Sequence, residues 1–334
     1  MTLESFCNSI WNNTFENVNK DITKDDYKEF KIPKKNGYRT INYIEETSKL
    51  FNLQNRLNKK FLSKQSLPTC VKGFKKGESY ISYLKEHVGS KFFLRIDIAN
   101  FFPSITSSLI KAELDIIVNG YTIEDKIKII DLITNITTLN DCLPQGASTS
   151  PVLSNIVMAR IDQRILKYCQ LFNVKYTRYA DDMLFSSETF DFNKKWFVRK
   201  IKYILNSIGL KLNYSKLKIA NDEISLNGYV ISKDGIRLSR SRLSDIRHIL
   251  SFSERNYNAA KTDNEKFILE ANKLQLKHRT LSISPFSTVF QFVQYLCGYR
   301  AFLISILDRN EVNKFQKELQ KLINKIEKNI LKYV

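Results

Sequence analysis

The chain has 334 residues, of which 43% are hydrophobic and 12% aromatic, and a formal net charge of +19. That length suits about two domains, or one large one with lobes, and supplies ample apolar material for a core. The charge favours a polyanionic partner, nucleic acid ahead of a membrane surface, because nucleic acid rewards many phosphate contacts. No membrane span or leader peptide is expected, and the five scattered cysteines, never spaced as CxxC, point to a reducing cytoplasm and away from disulfides or zinc.

Residues 1–30 carry a net charge of −3 and read as a peripheral helical extension, leaving +22 on the rest. "KIPKKNGYRTINYIE" at 31–45 predicts a hairpin with Asn36-Gly37 at its turn. Helices are expected in "EETSKLFNLQNRLNKKFL" and "YISYLKEHV", either side of a loop punctuated by Gly73 and Gly77. "KFFLRIDIANFF" alternates as a strand, with Leu94, Ile96 and Ile98 towards the core and Phe93, Arg95 and Asp97 away from it. "TSPVLSNIVMARIDQRIL" has a helix cap at Thr149 or Ser150 and Pro151 in its first turn. Two strands, "VKYTRY" and "MLFSS", flank the Asp181-Asp182 pair. A helix over 194–208 follows, then short strands in "LKLNYSKLKIA", "ISLNGYVIS" and "GIRLS". From about 240 the pattern is helical, and Phe315, Leu319, Leu322, Ile326 and Ile330 make an apolar stripe on the last helix. Strands mixed with helices, then helices alone, indicate an α+β body with a helical C-terminal lobe.

The three histidines (His87, His248, His278) lie far apart in sequence, so the chemistry falls to carboxylates. Asp97 on its strand and Asp181-Asp182 at a hairpin tip converge if strand and hairpin share a sheet. Three carboxylates are tolerable together only around cations, and hard oxygen donors select Mg2+ or Mn2+. A bland alternative is a pair of surface aspartates in a turn, against which the apolar flanks argue.

"LRIDIANFFPSI" at 94–105, "LPQGASTSPVLSN" at 143–155 and "YADD" at 179–182 resemble, in order and spacing, the palm motifs of reverse transcriptases. "YRTI", "KGFKKGES", "LKLNYSK", "LNGYVI" and "LCGYRAFLISI" extend the resemblance over roughly residues 30–310, and bacterial retron and defence-associated members are the most similar group. The resemblance implies a right-hand polymerase fold: fingers at 31–92, palm at 93–235 with a fingers insertion near 106–142, and a helical thumb at 236–334. It implies RNA-directed DNA synthesis with two divalent ions, Mg2+ or Mn2+, held by Asp97, the Ile98 carbonyl, Asp181 and the neighbouring Asp182. Phe102 falls at the position of the sugar gate, Gln145 and Gly146 in the loop lining the nucleotide, and Lys34, Lys35 and Arg39 where the triphosphate is gripped. Lys216 matches the lysine that protonates pyrophosphate, and Leu226, Asn227 and Gly228 the primer grip. Read without the family, Phe102 is equally a core residue, "PQG" a turn, and the basic hairpin a solvated one.

The implied partners are a structured non-coding RNA template, a DNA product and dNTPs, with an effector protein or a second copy as further candidates and phage defence as the setting. Segment 194–218 is a candidate for duplex binding; for the lysine-rich last helix a solvated face is the default. The retron Asn-Ala…His element is missing from 106–142, "LNG" stands where retrons carry Val-Thr-Gly, and Ser148 replaces the usual Pro. No room is expected for a ribonuclease H or endonuclease domain. Template-independent or protein-primed synthesis uses the same site, and an RNA-binding scaffold is the alternative outside enzymes.

Overall fold

The computed structural model describes residues 2–34, 37–277, 285–307 and 314–333, in two units, 1–223 and 224–334. In the first unit, α1 (Leu3–Trp11) opens on a capping box at Thr2 and α2 (Phe15–Lys20) follows. Leu3, Phe6, Cys7, Ile10 and Trp11 recur at the helical period and all enter the main core, and the Trp11 indole donates to the Leu53 carbonyl at 3.0 Å. The opening segment is therefore built into the core and not peripheral. Its acidic charge reports only the outer face; its apolar period decides where it packs.

The hairpin pairs β1 (Tyr27–Lys34) with β2 (Gly37–Ile44) from Tyr27↔Ile44 to Lys34↔Gly37. It starts before residue 31, and Lys35 and Asn36 lie outside the described residues. Next come α3 (Lys49–Lys60, capped by Ser48), α4 (Tyr80–Lys85), β3 (Phe92–Asp97), α5 (Ser107–Ile117), α6 (Ile123–Thr137) and α7 (Ser150–Gln170, N-cap Thr149). Then β4 (Lys175–Tyr179), β5 (Asp182–Ser187), α8 (Lys195–Asn206) and β6 (Lys218–Asn221) complete the unit.

The central sheet is antiparallel in the order β4-β5-β3-β6. Its period of two assigns Phe93, Arg95, Asp97, Asp182, Leu184, Thr177 and Tyr179 to one face, and Leu94, Ile96, Met183, Phe185, Tyr176 and Arg178 to the other. The second face packs on α7 and α8: Phe185 stacks on Tyr176 and meets Phe197 edge-on. The first face was expected to be open, yet Phe93 is fully buried and Asp97 only 3% exposed. The reason is α4 and the turn after it, where Tyr83 lies against Tyr179 and His87 spans Ser186 and Thr177 at 2.7 Å each. Residues 210–217 do not continue a strand: their backbone makes one bridge, Ile98↔Leu212, and a 3-10 turn at Tyr214–Lys216.

The second unit holds a three-stranded sheet, β7 (Glu223–Leu226), β8 (Tyr229–Ser232) and β9 (Gly235–Leu238), then α9 (Arg240–Arg255), α10 (Tyr257–Thr262), α11 (Asn264–Lys277), α12 (Val289–Ile306) and α13 (Lys314–Tyr333). Leu319, Leu322, Ile323 and Ile326 are the buried stripe of α13. One expectation fails here. By length and composition α12 is long and apolar enough to cross a membrane, with a mean hydropathy of 1.2. Its Phe292, Val293, Leu296, Leu303 and Ile306 are buried, and Arg300 reaches Glu327 of α13 at 2.7 Å, so one side of it packs within the unit.

Candidate active site

The register of the central sheet sets Asp97 opposite Asp182 and Tyr179 opposite Asp182, so the β4–β5 turn carries Asp181 to the end of β3. The Ile98 amide donates to the Asp181 carbonyl at 3.1 Å, fixing the turn against the strand. Ala180 holds the turn with φ +57, and a Cβ on Gly73 would lie 2.6 Å from the Ala180 nitrogen. Only glycine fits there. Behind the turn, Arg178 is fully buried: its Nε and Nη2 bind Asp162 of α7, and its Nη1 donates to the Ala180 carbonyl at 3.0 Å. The Tyr176 hydroxyl donates to the same carboxylate at 2.7 Å.

The three expected carboxylates meet, but on unequal terms. Asp97 receives the Asn213 amide at 3.0 Å on Oδ1 and the Lys216 ammonium at 2.8 Å on Oδ2. Asp182 is clasped by Arg95, with Nε to Oδ1 at 2.6 Å and Nη2 to Oδ2 at 2.8 Å, a bidentate charge-assisted pair. Burial, and then the negative charge of Asp97, push the Asp181 carboxyl above the usual range. Asp97 and Asp181 thus repel across an edge that exposes part of Asp181, and a hard cation relieves that repulsion. Among the described residues no three His, Cys, Asp or Glu side chains group as metal ligands. Of the three carboxylates, Asp182 is engaged by Arg95 and Asp97 by Asn213 and Lys216, which leaves Asp181 the one without a side-chain partner at this edge among the described residues.

The nucleotide-lining candidates come together in part. Gly146 has φ +130, and a Cβ on it would sit 2.7 Å from the Asn42 carbonyl of β2, while the Asn42 amide donates to the Gln145 carbonyl at 2.8 Å. Ser150 tethers the Pro144 carbonyl at 2.7 Å. The "PQG" loop is thereby docked on the hairpin that bears an exposed Arg39, opposite Ile32. Lys34 ends β1, and Lys35 lies outside the described residues. Phe102 is half-buried in a 3-10 turn and packs against the core, its ring 5.4 Å from Phe101 and 6.3 Å from Phe74. Leu226, Asn227 and Gly228 lie in the second unit, where Asn227 (φ +47) and Gly228 (φ +88) form the two-residue turn between β7 and β8. A Cβ on Gly228 would meet Arg242 Nε at 2.9 Å.

Arg95, Asn213, Arg178 and Asp162 were not singled out from the sequence. Arg95 was within reach, since it lies two residues from Asp97 on one strand face. The Arg178–Asp162 pair was not, because nothing local links two residues on different elements.

Comparison with known proteins names the group. Residues 32–231 match the family described as reverse transcriptase (RNA-dependent DNA polymerase). The retron Ec86 reverse transcriptase of Escherichia coli is 31% identical over 228 residues, covering 66% of this chain and 68% of the relative. The retron Mx65 reverse transcriptase of Myxococcus xanthus is 26% identical over 205 residues, covering 58% and 48%, so the match spans about half of that relative. Among solved structures, telomerase from Candida albicans with a TWJ fragment of telomeric RNA aligns at 13% identity and TM-score 0.49, covering 90% of this chain and 63% of that one. The chain belongs to the reverse transcriptases, RNA-directed DNA polymerases of the right-hand fold, and is of the bacterial retron type.

Proposed function

We propose that the chain extends a primer 3′-hydroxyl with deoxynucleotides along a partner non-coding RNA, in the cytoplasm, as part of a retron-like defence against phage. The observation that carries the reading is the register of β3 with β5, which sets Asp97 beside the Asp181 turn, where Lys216 offsets their repulsion only in part. Asp97, Asp181 and the Ile98 carbonyl would hold divalent ions, Mg2+ or Mn2+ and two per site. When bound, these supply Lewis acidity that activates the hydroxyl and stabilises charge at the transferred phosphate.

The protein's own groups do the rest. Arg95 holds Asp182 aligned at the edge through its bidentate contact. Asn213 and Lys216 orient Asp97, and Lys216, with its side chain half-exposed, holds a proton for the departing pyrophosphate. Arg39, with Lys34 and Lys35, grips the triphosphate. Gln145 and Gly146 line the sugar and base, Phe102 excludes a ribose 2′-hydroxyl, and Leu226, Asn227 and Gly228 hold the primer strand. The test is to purify the wild type and the Asp97→Asn/Asp181→Asn variant from the native host and sequence the nucleic acid bound to each. One structured RNA in both, with complementary DNA only in the wild type, is expected. DNA without a matching RNA, or RNA alone in both, would overturn the reading.

A further inference from the structure

Helix α8 and the segment after it concentrate positive charge well beyond the one lysine, Lys216, that the polymerase site uses. From Phe192 to Asn221 there is no Asp or Glu, while Lys194, Lys195, Arg199, Lys200, Lys202, Lys211, Lys216 and Lys218 all fall within it. The inner face of α8 is spent on the sheet, through buried Phe197, Ile201, Ile204 and Leu205. On the outer face Trp196, Lys200 and Tyr203 recur at i, i+4 and i+7, a ring, a cation and a ring. Trp196 is 42% exposed, Tyr203 64% and Tyr214 58%.

Two of the α8 cations face rings rather than acids. Lys200 Nζ lies 5.1 Å from the centre of the Tyr203 ring, and Lys202 Nζ 5.5 Å from that of Tyr214. Neither lysine makes an ion pair among the described residues. Lys202, Asn206, Gly209, Lys211, Leu212 and Tyr214 line a groove of about 480 Å³, within the size range of ligand sites. Because Phe197 packs on Phe185, this surface is on the side of the sheet opposite the Arg95–Asp182 pair, away from the site of synthesis. It nevertheless leads there: the Lys211 carbonyl accepts from the Ala99 amide at 2.9 Å, and Lys216 ends the segment on Asp97.

We infer that the outer face of α8, continued by Lys211 and Tyr214, is a docking track for a single-stranded segment of RNA. Exposed rings interleaved with unpaired cations match unstacked bases on a phosphate backbone. A duplex leaves the rings nothing to stack on, so the track suits a single strand rather than the duplex expected from charge alone. The assignment to RNA rests on the reading of the chain as an RNA-copying polymerase.

The experiment measures binding of labelled single-stranded oligo(A) RNA to the full chain whose cleft is loaded with an unlabelled RNA–DNA hybrid. Tyr203→Ser is expected to weaken binding about tenfold, the scale of one lost base stack. Lys200→Ser/Lys202→Ser should lower the slope of log affinity against log salt by about 0.7 per cation. Extension of oligo(dT) on poly(A) by both variants should match the wild type. Unchanged affinity in Tyr203→Ser with an unchanged melting temperature would overturn the proposal. So would tighter binding of oligo(dA) DNA, or of anionic vesicles, than of the RNA. A wild type that fails to extend oligo(dT) would instead sink the polymerase reading, whatever the binding shows.

Discussion

Two acid–base clusters lie on opposite faces of one sheet and end up in different electrostatic states. On the α7 face, Asp162 and Arg178 are both fully buried, joined by two nitrogens, and served further by Tyr176 and the Ala180 carbonyl. Every charge there has its partner. On the other face three carboxylates meet two cations, Arg95 and Lys216, and the Asp181 carboxyl is driven upwards. The first cluster is a finished scaffold that fixes the turn; the second is left unfinished, at the edge where the proposed function would bring substrate and ions. Charge that is costly to keep and not neutralised within the fold marks the functional face.

Breaking the finished cluster should cost the most stability. Arg178→Met strands Asp162 in the core, and a loss of about 3–5 kcal/mol is expected in denaturant melts. A loss below about 1 kcal/mol would mean the pair does not hold the turn. The mixed pair comes next. Arg95→Met frees Asp182 at a partly buried site, and about 1–3 kcal/mol should go. Nucleotide incorporation should fall about tenfold in kcat with KM little changed, because Arg95 acts through Asp182 and not on the nucleotide.

His87 sharpens the comparison through pH. Burial, with Lys175 adding to it, lowers its pKa to about 3, against about 6.5 for the unfolded chain. The folded state binds fewer protons, so stability is intact above the unfolded value and drains as pH falls towards 3, by about 1.4 kcal/mol per unit. Melts between pH 7 and pH 4 should show that slope in the wild type and a flatter one in His87→Asn. The smallest effect belongs to the second unit, where Lys325 and Glu254 are exposed partners at 3.4 Å. Lys325→Ala should cost under about 1 kcal/mol.

Much of this was legible in the residues. The strand ending at Asp97, the proline-opened helix at 151 and the two strands flanking Asp181 each follow from local residues, and the structure keeps all of them as elements, though not the open face expected around Asp97. What escaped was non-local. The burial of Phe93 depends on α4 folding over a face that a single strand leaves blank. The role of Arg95 depends on a register shared with a strand some ninety residues on. Charge also misled once: it put the amphipathic α1 at the periphery. In α13, Glu318 and Glu327 meet Arg247 and Arg300, and Lys325 meets Glu254, whereas Lys200 and Lys202 of α8 lie over tyrosine rings.

The most direct test of the unfinished cluster is single-turnover incorporation of dTTP on an oligo(dT)–poly(A) hybrid by the wild type and Asp181→Asn, across a titration of Mg2+. The wild type should saturate with Mg2+ and lose all incorporation in chelator. Asp181→Asn should be slower by about a thousandfold or more, while melting at a temperature equal to or above that of the wild type without metal, because the repulsion with Asp97 is gone. Incorporation by Asp181→Asn within tenfold of the wild type, with the same Mg2+ dependence, would contradict the account.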